Sequence, residues 1–169
     1  MRRNHFSRWF VARWTLPVVM VVMTASVANA QRASAANAQR AHVGARFGYD
    51  YDVKIPLVST QVTVPVTRTV EFYPSVDIYL PDQGSMMGFN GDVKFNMPTN
   101  HPRMYVGTGL GVQTRTLRRS STTDVGINAL FGVETRAGWV HPFVEGRGFI
   151  SETNRVSIMA GLNFTIGGR

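Results

Sequence analysis

The 169-residue sequence contains no cysteine, only four histidines, and few charged side chains, which make up 17% of it. The absence of cysteine excludes disulfide scaffolds, thiol nucleophiles and thiolate zinc sites in any compartment. Four histidines leave little room for a metal centre. The length is that of a single domain, so the remaining chemistry must be sought in one fold.

The sequence also lacks a hydrophobic run long enough to span a membrane as a helix. Its apolar run near the N-terminus, Leu16–Met23, is far shorter than the roughly 20 residues required. The run follows a basic stretch and precedes small residues at 28–30, which is the layout of a secretory signal peptide. We predict a signal peptide over 1–30, cleaved between Ala30 and Gln31 or, alternatively, after Ala38. Residues 31–41 then form a flexible leader before the folded domain, 42–169.

Half of the excess positive charge lies in the predicted signal peptide. The sequence carries a net charge of +8, and Arg2, Arg3, Arg8 and Arg13 all lie in the predicted signal peptide. Cleavage removes these four charges and leaves +4. We therefore expect no nucleic-acid partner, although the basic composition alone would suggest one.

No stretch after residue 41 has a sustained helical period. Apolar and polar residues instead alternate with a period of two, as from Val70 to Leu80, which predicts β-strands. The connections between strands are short, so neighbouring strands are antiparallel. The predicted strands lie near 42–51, 56–66, 69–80, 86–97, 103–116, 123–136, 139–150 and 154–166.

The orientation of the two faces decides the class of barrel. The apolar face is continuous and bulky and would overfill the narrow interior of eight strands. The opposite face combines charges with glycines such as Gly44, Gly107 and Gly132. We therefore predict an all-β, eight-stranded antiparallel up-and-down transmembrane β-barrel, exported through the inner membrane to the bacterial outer membrane. A soluble secreted ligand-binding barrel remains an alternative, because alternation alone fits both.

The predicted inner face carries five basic and six acidic side chains, and their near-equal numbers favour ion pairing. We expect a salt-bridged polar lumen with a structural or surface-interaction role. The alternative is a narrow ion or small-solute pore that opens when ion pairs exchange partners. The predicted lumen charges are Arg46, Asp50, Glu71, Asp77, Asp92, Lys94, Arg115, Glu134, Arg136, Glu145 and Arg147.

The sequence predicts neither an enzyme nor a cofactor. A hydrolase of the kind that modifies lipid A needs a nucleophile, a base and an orienting acid within hydrogen-bond reach. The candidate bases His42, His101 and His141 have no serine at a suitable spacing on the same strand face, and their spacing is not that of metal ligands. The basic stretch at Arg118–Ser121 is interpreted as a solvated loop or as a contact for lipopolysaccharide phosphates.

Several motifs together resemble a known family. They are the strand 43–50, the pair Val64–Val66 and Phe72–Ser75, and the segments Tyr105–Gly111, Pro142–Arg147 and Ala160–Phe164. These resemble small outer-membrane β-barrel proteins, the OmpA/OmpX-like or opacity-type porin superfamily. The resemblance covers nearly all of the chain after residue 41.

This resemblance implies the partners of such a barrel. They are outer-membrane lipid and lipopolysaccharide around it, and periplasmic chaperones and the barrel-assembly machinery during its insertion. It implies a monomer. One departure is at the C-terminus, where Phe164 is followed by five further residues instead of ending the chain as the terminal aromatic. Recognition by the assembly machinery is therefore a weaker expectation than the fold.

Overall fold

The computed structural model of the chain describes residues 40–99, 102–117, 120–135 and 138–166. Over these ranges the chain forms eight strands, which confirms the predicted all-β fold. Helices that could cross a membrane are absent from the same ranges. The predicted signal peptide and its cleavage residues, Ala30 and Gln31, lie outside them. The strands are β1 (Ala41–Asp50), β2 (Ile55–Pro65), β3 (Val70–Tyr79), β4 (Ser85–Asn96), β5 (Arg103–Leu117), β6 (Ser120–Glu134), β7 (Val140–Ile150) and β8 (Arg155–Ile166).

The sheet closes on itself. Each strand pairs antiparallel with the next in sequence, and β8 pairs with β1. At this closing seam Val43 lies opposite Phe164, and Tyr49 lies opposite Ile158. The result is the predicted eight-stranded up-and-down barrel. Closure satisfies the backbone hydrogen bonds along the wall, where every strand has a neighbour on both sides.

The alternation of the sequence places polar side chains inside and apolar ones outside. Arg46 is 3% exposed and Glu145 is fully buried, whereas Phe47 is 61% and Leu110 is 65% exposed. This is the reverse of a soluble protein, in which charged side chains are almost never fully buried unless paired. The outward orientation of the apolar face therefore agrees with the prediction.

Two hydroxyl groups on the outer face bond to the barrel wall. Thr60 donates to the backbone carbonyl of Gly44 at 3.3 Å, and Thr108 donates to that of Asn128 at 2.9 Å. Each bond joins neighbouring strands. Because both hydroxyls bond to the wall, these threonines add no unsatisfied donor to the apolar surface.

The turns follow from local hydrogen bonding. The Asp50 carboxylate accepts from the backbone N–H groups of Asp52 and Val53, both at 3.1 Å, and so closes the β1–β2 turn. In the glycine-free β2–β3 turn, the Thr67 hydroxyl accepts from the Val70 N–H at 3.0 Å. Such side-chain acceptors stabilise tight turns without glycine. Gly84 has a left-handed φ of 83° in the β3–β4 turn, a conformation in which glycine is unstrained.

The β5–β6 hairpin is longer than predicted. The sequence predicts a loop over 117–122, whereas β5 continues to Leu117 and β6 begins at Ser120. β6 also extends beyond β7, because their pairing begins only at Ile127 opposite Ile150. We call the paired segments 113–117 and 120–124 the outer ribbon. Its hydroxyl pairs, Thr114 with Thr123 and Thr116 with Ser121, replace the apolar residues found lower on the same face.

Close approach of β4 and β5 requires glycine at position 109. A Cβ atom there would collide with the backbone carbonyl of Gly91 and with Asp92, whereas one at Gly91, which faces outward, would meet nothing within 4 Å. We expect Gly109→Ala to lower the free energy of unfolding by about 1–3 kcal/mol, because the backbone must shift. Gly91→Ala should leave it unchanged or raise it slightly. Urea titrations of the refolded variants in detergent measure both, and equal stabilities would contradict the packing argument.

Candidate functional site

Arg46 lies at the centre of the polar lumen, and all five of its guanidinium N–H groups are bonded. Its Nη1 donates to Glu145 Oε1 at 2.6 Å, and its Nη2 donates to Asp77 Oδ1 at 2.9 Å. The remaining donors reach the hydroxyls of Tyr73, Ser75 and Ser59 at 2.9–3.0 Å. Arginine offers no further donor, so its position is fully specified by strands β2, β3 and β7.

Glu145 on β7 joins two parts of the lumen. In addition to Arg46, its carboxylate accepts from the Tyr105 hydroxyl at 2.9 Å. Lys94 Nζ lies 3.8 Å and Arg147 Nη2 lies 3.4 Å from its oxygens. One buried carboxylate thus faces three cationic side chains. Removing its charge would leave these cations without their common partner.

Arg147 connects the acidic side chains of β3 and β4. Its Nη2 lies 2.9 Å from Asp92 Oδ2, and its Nη1 lies 3.6 Å from Asp77 Oδ2. Two amides complete the arrangement: Asn128 donates to Asp92 Oδ1 at 2.7 Å, and Asn90 donates to Asp77 Oδ2 at 2.8 Å. The Asn128 bond satisfies the Asp92 oxygen that is not paired with Arg147, and the Asn90 bond gives Asp77 Oδ2 a second donor; such bonds are the condition for retaining buried charge.

Lys94 is held mainly by aromatic rings. Its Nζ lies 3.3 Å from the ring centroid of Tyr73 and 4.1 Å from that of Tyr105, with Phe143 at 5.8 Å. A desolvated ammonium over such rings gains about 2 kcal/mol or more. Three basic and three acidic groups therefore balance in this central network, which consists of Arg46, Asp77, Asp92, Lys94, Glu145 and Arg147.

The other predicted lumen charges lie away from the central network. Glu71 faces Arg103 at 3.7 Å near the inner end of the barrel, the end at which β1 begins and β8 ends. Glu134 accepts from the Asn163 amide at 2.8 Å. Asp50 is buried at the opposite end, the outer end, where it closes the first turn.

The prediction for Arg115 is wrong. It was placed in the lumen because it has the parity of the inward-facing residues, but its side chain is exposed. Arg115 belongs to the outer ribbon, where it lies opposite Met86 and Thr122, and β7 does not extend far enough to enclose it. Arg136 lies outside the described residues, as do Arg118 and Arg119.

Sequence reasoning missed the uncharged members of the lumen. Tyr73, Tyr105, Ser59, Asn90 and Asn128 all contribute hydrogen bonds to the charges described above. Tyr73, Tyr105, Asn90 and Asn128 each have the parity of charged residues on their own strands, so the alternation that located the charges contained this signal as well.

An apolar layer closes the lumen on the outer side of the network. Leu57, Tyr79, Met86 and Met159 form one buried cluster, and each is at most 5% exposed. Beyond it Arg155 donates to Gln113 and lies 3.6 Å from Asp124. The lumen is therefore filled by side chains along its outer half as well as at its centre, as expected for a barrel of eight strands.

The described histidines lie at the inner end of the lumen. The rings of His42 and His141 meet edge to face with centroids 4.8 Å apart, and Thr165 Oγ1 lies 3.1 Å from His141 Nε2. This proximity was not predicted. His101 lies outside the described residues. Within the described part of the chain, no group of three or more histidine, aspartate or glutamate side chains has the arrangement of a metal site.

A closed barrel of eight antiparallel strands, polar inside and apolar outside, has the architecture of a small transmembrane β-barrel. Solved structures of this class match the chain over three quarters of its length. The N-terminal barrel domain of Pseudomonas aeruginosa OprF superposes with a TM-score of 0.60 and 16% identity, covering 75% of this chain and 96% of that one.

Two other bacterial proteins give similar matches. Neisserial surface protein A has a TM-score of 0.57 and 14% identity, covering 75% of this chain and 96% of its own. Ail, the attachment invasion locus protein of Yersinia pestis, has a TM-score of 0.56 and 8% identity, covering 75% and 97%. No protein-family model and no curated protein sequence matches the chain. The chain thus has the fold of the small outer-membrane barrels that its motifs resemble.

Proposed function

We propose that the protein is an outer-membrane β-barrel with a sealed, salt-bridged lumen and a structural or surface-interaction role. The observation that carries this proposal is the apolar exterior around a buried ionic interior. Exposed patches beyond a few hundred Å² are rarely left bare in soluble proteins, and here large apolar side chains are exposed on all eight strands. This apolar exterior fits the hydrocarbon layer of a lipid bilayer.

Two pairs of aromatic side chains, one at each end of the barrel, are consistent with two membrane interfaces. Tyr49 and Tyr51 pack together at the outer end of the barrel, with ring centroids 5.4 Å apart. Trp139 and Phe164 pack at the inner end, with centroids 5.8 Å apart. Such rings favour the level of the lipid headgroups. Under this proposal the inner end faces the periplasm, because β1 begins there and β8 ends there.

We also propose how the chain is exported and assembled, and which molecules it contacts. The signal peptide is removed at Ala30, and periplasmic chaperones and the barrel-assembly machinery bring the chain to the outer membrane. There it stands as a monomer in contact with lipid and lipopolysaccharide. It has no enzymatic activity and no nucleic-acid partner.

A narrow ion pore is the second candidate function. One observation favours it: Arg147 lies within 3.6 Å of oxygens on Asp77, Asp92 and Glu145, so it has three alternative carboxylate partners. Exchange among them would let Arg147 move while it keeps a carboxylate partner, and so open a path. The apolar layer of Leu57, Tyr79, Met86 and Met159 would also have to move, which favours the sealed form.

The first test is heat-modifiability of the mature chain refolded in detergent, followed by planar-bilayer recording on the same sample. We expect the unboiled barrel to migrate differently from the boiled chain on a gel, because the closed sheet resists detergent unfolding. We expect no steady conductance from the folded sample. Reproducible single-channel steps would instead support the pore. A protein that is monodisperse without detergent and shows no gel shift would contradict both and favour the soluble binding barrel.

A further inference from the structure

Two histidines converge on one hydroxyl group at the inner end of the lumen. His42 is the second residue of β1, His141 is the second residue of β7, and Thr165 is the last but one of β8. Thr165 Oγ1 lies 3.1 Å from His141 Nε2 and 3.4 Å from His42 Nδ1. Two imidazole nitrogens from separate strands therefore approach the same oxygen atom.

The spacing of these three atoms matches that of ligands around a tetrahedral metal ion. Zinc binds imidazole nitrogen at about 2.0–2.1 Å, which places neighbouring ligand atoms about 3.3–3.4 Å apart. The two nitrogen–oxygen distances, 3.1 and 3.4 Å, are close to this value. A metal ion would therefore replace the two hydrogen bonds with little movement of the rings.

The hydroxyl cannot serve both nitrogens in the same way. It carries one proton, so it donates to one imidazole at most, and the other ring must donate to it. An ion binds both nitrogens in their unprotonated form, and the displaced proton moves to the other nitrogen of that ring or to solvent. Metal binding thus gives both imidazoles the same role.

The polar side chain next to His141 does not compete for the imidazoles. Asn163 lies opposite His141 in the β7–β8 pairing. Its Oδ1 accepts from the Gln61 amide at 2.9 Å, and its Nδ2 donates to Glu134 at 2.8 Å. The layer beneath the two rings is therefore already bonded, and it fixes the depth at which an ion would lie.

A buried hydroxyl on the other side of His42 has no such bond. Thr63 on β2 lies opposite His42, so both side chains are on the same face of the sheet. Thr63 is 2% exposed, and its Oγ1 has no hydrogen-bond partner among the described residues. A buried polar atom without a partner costs free energy. A hydrated ion beside His42 would supply that partner.

We propose that His42 and His141 together bind a divalent transition-metal ion such as Zn²⁺, with the Thr165 hydroxyl beside it and water in the remaining positions. Imidazole is a preferred ligand of zinc, copper and nickel. The ion joins β1 to β7 across β8, so it holds the closing seam of the barrel. This site is independent of whether the lumen conducts. In the proposed membrane orientation the ion arrives from the periplasm.

The test uses the untagged mature chain, refolded in detergent, and Zn²⁺ as the probe. This chain contains three histidines, His42, His101 and His141, because His5 lies in the predicted signal peptide. We expect one Zn²⁺ to bind per barrel in equilibrium dialysis. It should also raise the urea midpoint of unfolding, since only the folded barrel brings the two rings together. Mg²⁺, which prefers oxygen ligands, should leave the midpoint unchanged.

Matched substitutions identify the ligands. We expect His42→Gln and His141→Gln each to weaken Zn²⁺ binding at least about tenfold. His101→Gln, at a position outside the described residues, is the control and should leave binding unchanged. Thr165→Val should weaken binding less than the substitutions of either ligand, because water can replace the hydroxyl. Gel mobility of each variant without metal shows separately whether the membrane barrel has formed.

Proton NMR of the unsubstituted barrel gives a measurement that needs no variant. Zn²⁺ should shift the imidazole signals of two of the three histidines. The proposal is overturned if the folded barrel binds no Zn²⁺, or if binding survives substitution of His42 or His141. An equal loss of binding in His101→Gln would also overturn it.

Discussion

Glu145→Gln is expected to lower the free energy of unfolding by roughly 3–5 kcal/mol, the largest loss for a single lumen substitution. Glutamine keeps the size of the side chain and removes its charge. The substitution removes the negative charge that faces three buried cations. Arg46, Lys94 and Arg147 lie 2.6, 3.8 and 3.4 Å from the Glu145 carboxylate. Glu145 is fully buried, so the lost charge is not compensated by contact with solvent at the barrel surface.

The measurement is a urea titration of the barrel folded into phospholipid vesicles, followed by bilayer recording. Glu152→Gln is the control, because Glu152 is exposed in the β7–β8 turn. We expect the control to change stability by less than about 0.5 kcal/mol. If Glu145→Gln matches the control and conductance is also unchanged, the central network contributes neither to stability nor to closure, and the sealed-lumen proposal fails.

Phe131→Arg is expected to destabilise the membrane-inserted barrel by about 2–4 kcal/mol. Phe131 is 48% exposed on the outer face of β6, opposite Val106, and lies four residues nearer the inner end than Ile127, which pairs with the last residue of β7. An arginine there would have to stay in hydrocarbon or pull water and headgroups toward it. In a soluble barrel the same substitution would instead remove an exposed apolar side chain and improve solubility.

Thr123→Arg provides the matched control on the same strand and the same face. Thr123 lies eight residues from Phe131 along β6, in the outer ribbon, where hydroxyl groups replace apolar side chains. We expect a cost of about 0–1 kcal/mol there. Urea titrations in vesicles of both variants measure the difference. Equal effects at 131 and 123 would place Phe131 outside the membrane and contradict the outer-membrane proposal.

Much of this fold could be predicted because strand alternation is a local property. A side chain's parity along β3 or β7 sets the face on which it lies, so the buried positions of Asp77, Glu145 and Arg147 follow from sequence spacing. The size of the apolar side chains decided which face points outward, because the interior of an eight-stranded barrel is too narrow to hold Phe47, Phe72 and Phe131 together. The short connections then required antiparallel neighbours and an even strand count.

Parity did not reveal where the barrel wall ends. Arg115 has inward parity, yet it is exposed, because burial also needs neighbouring strands of matching length. The length of β7 relative to β6 depends on register, and register is set by all the strands around the barrel together. The same limit explains why the loop predicted over 117–122 is largely strand and why the extension of β6 beyond β7 was not predicted.

The sequence by itself determined the strand number, the two faces and the set of charges available to the lumen, because each of these depends on residue type and a period of two. Only the tertiary structure decided which charges pair. Arg46 and Glu145 lie 99 residues apart in sequence and meet at 2.6 Å. Their contact depends on barrel closure, strand stagger and the direction of long side chains, and no local pattern encodes those three together.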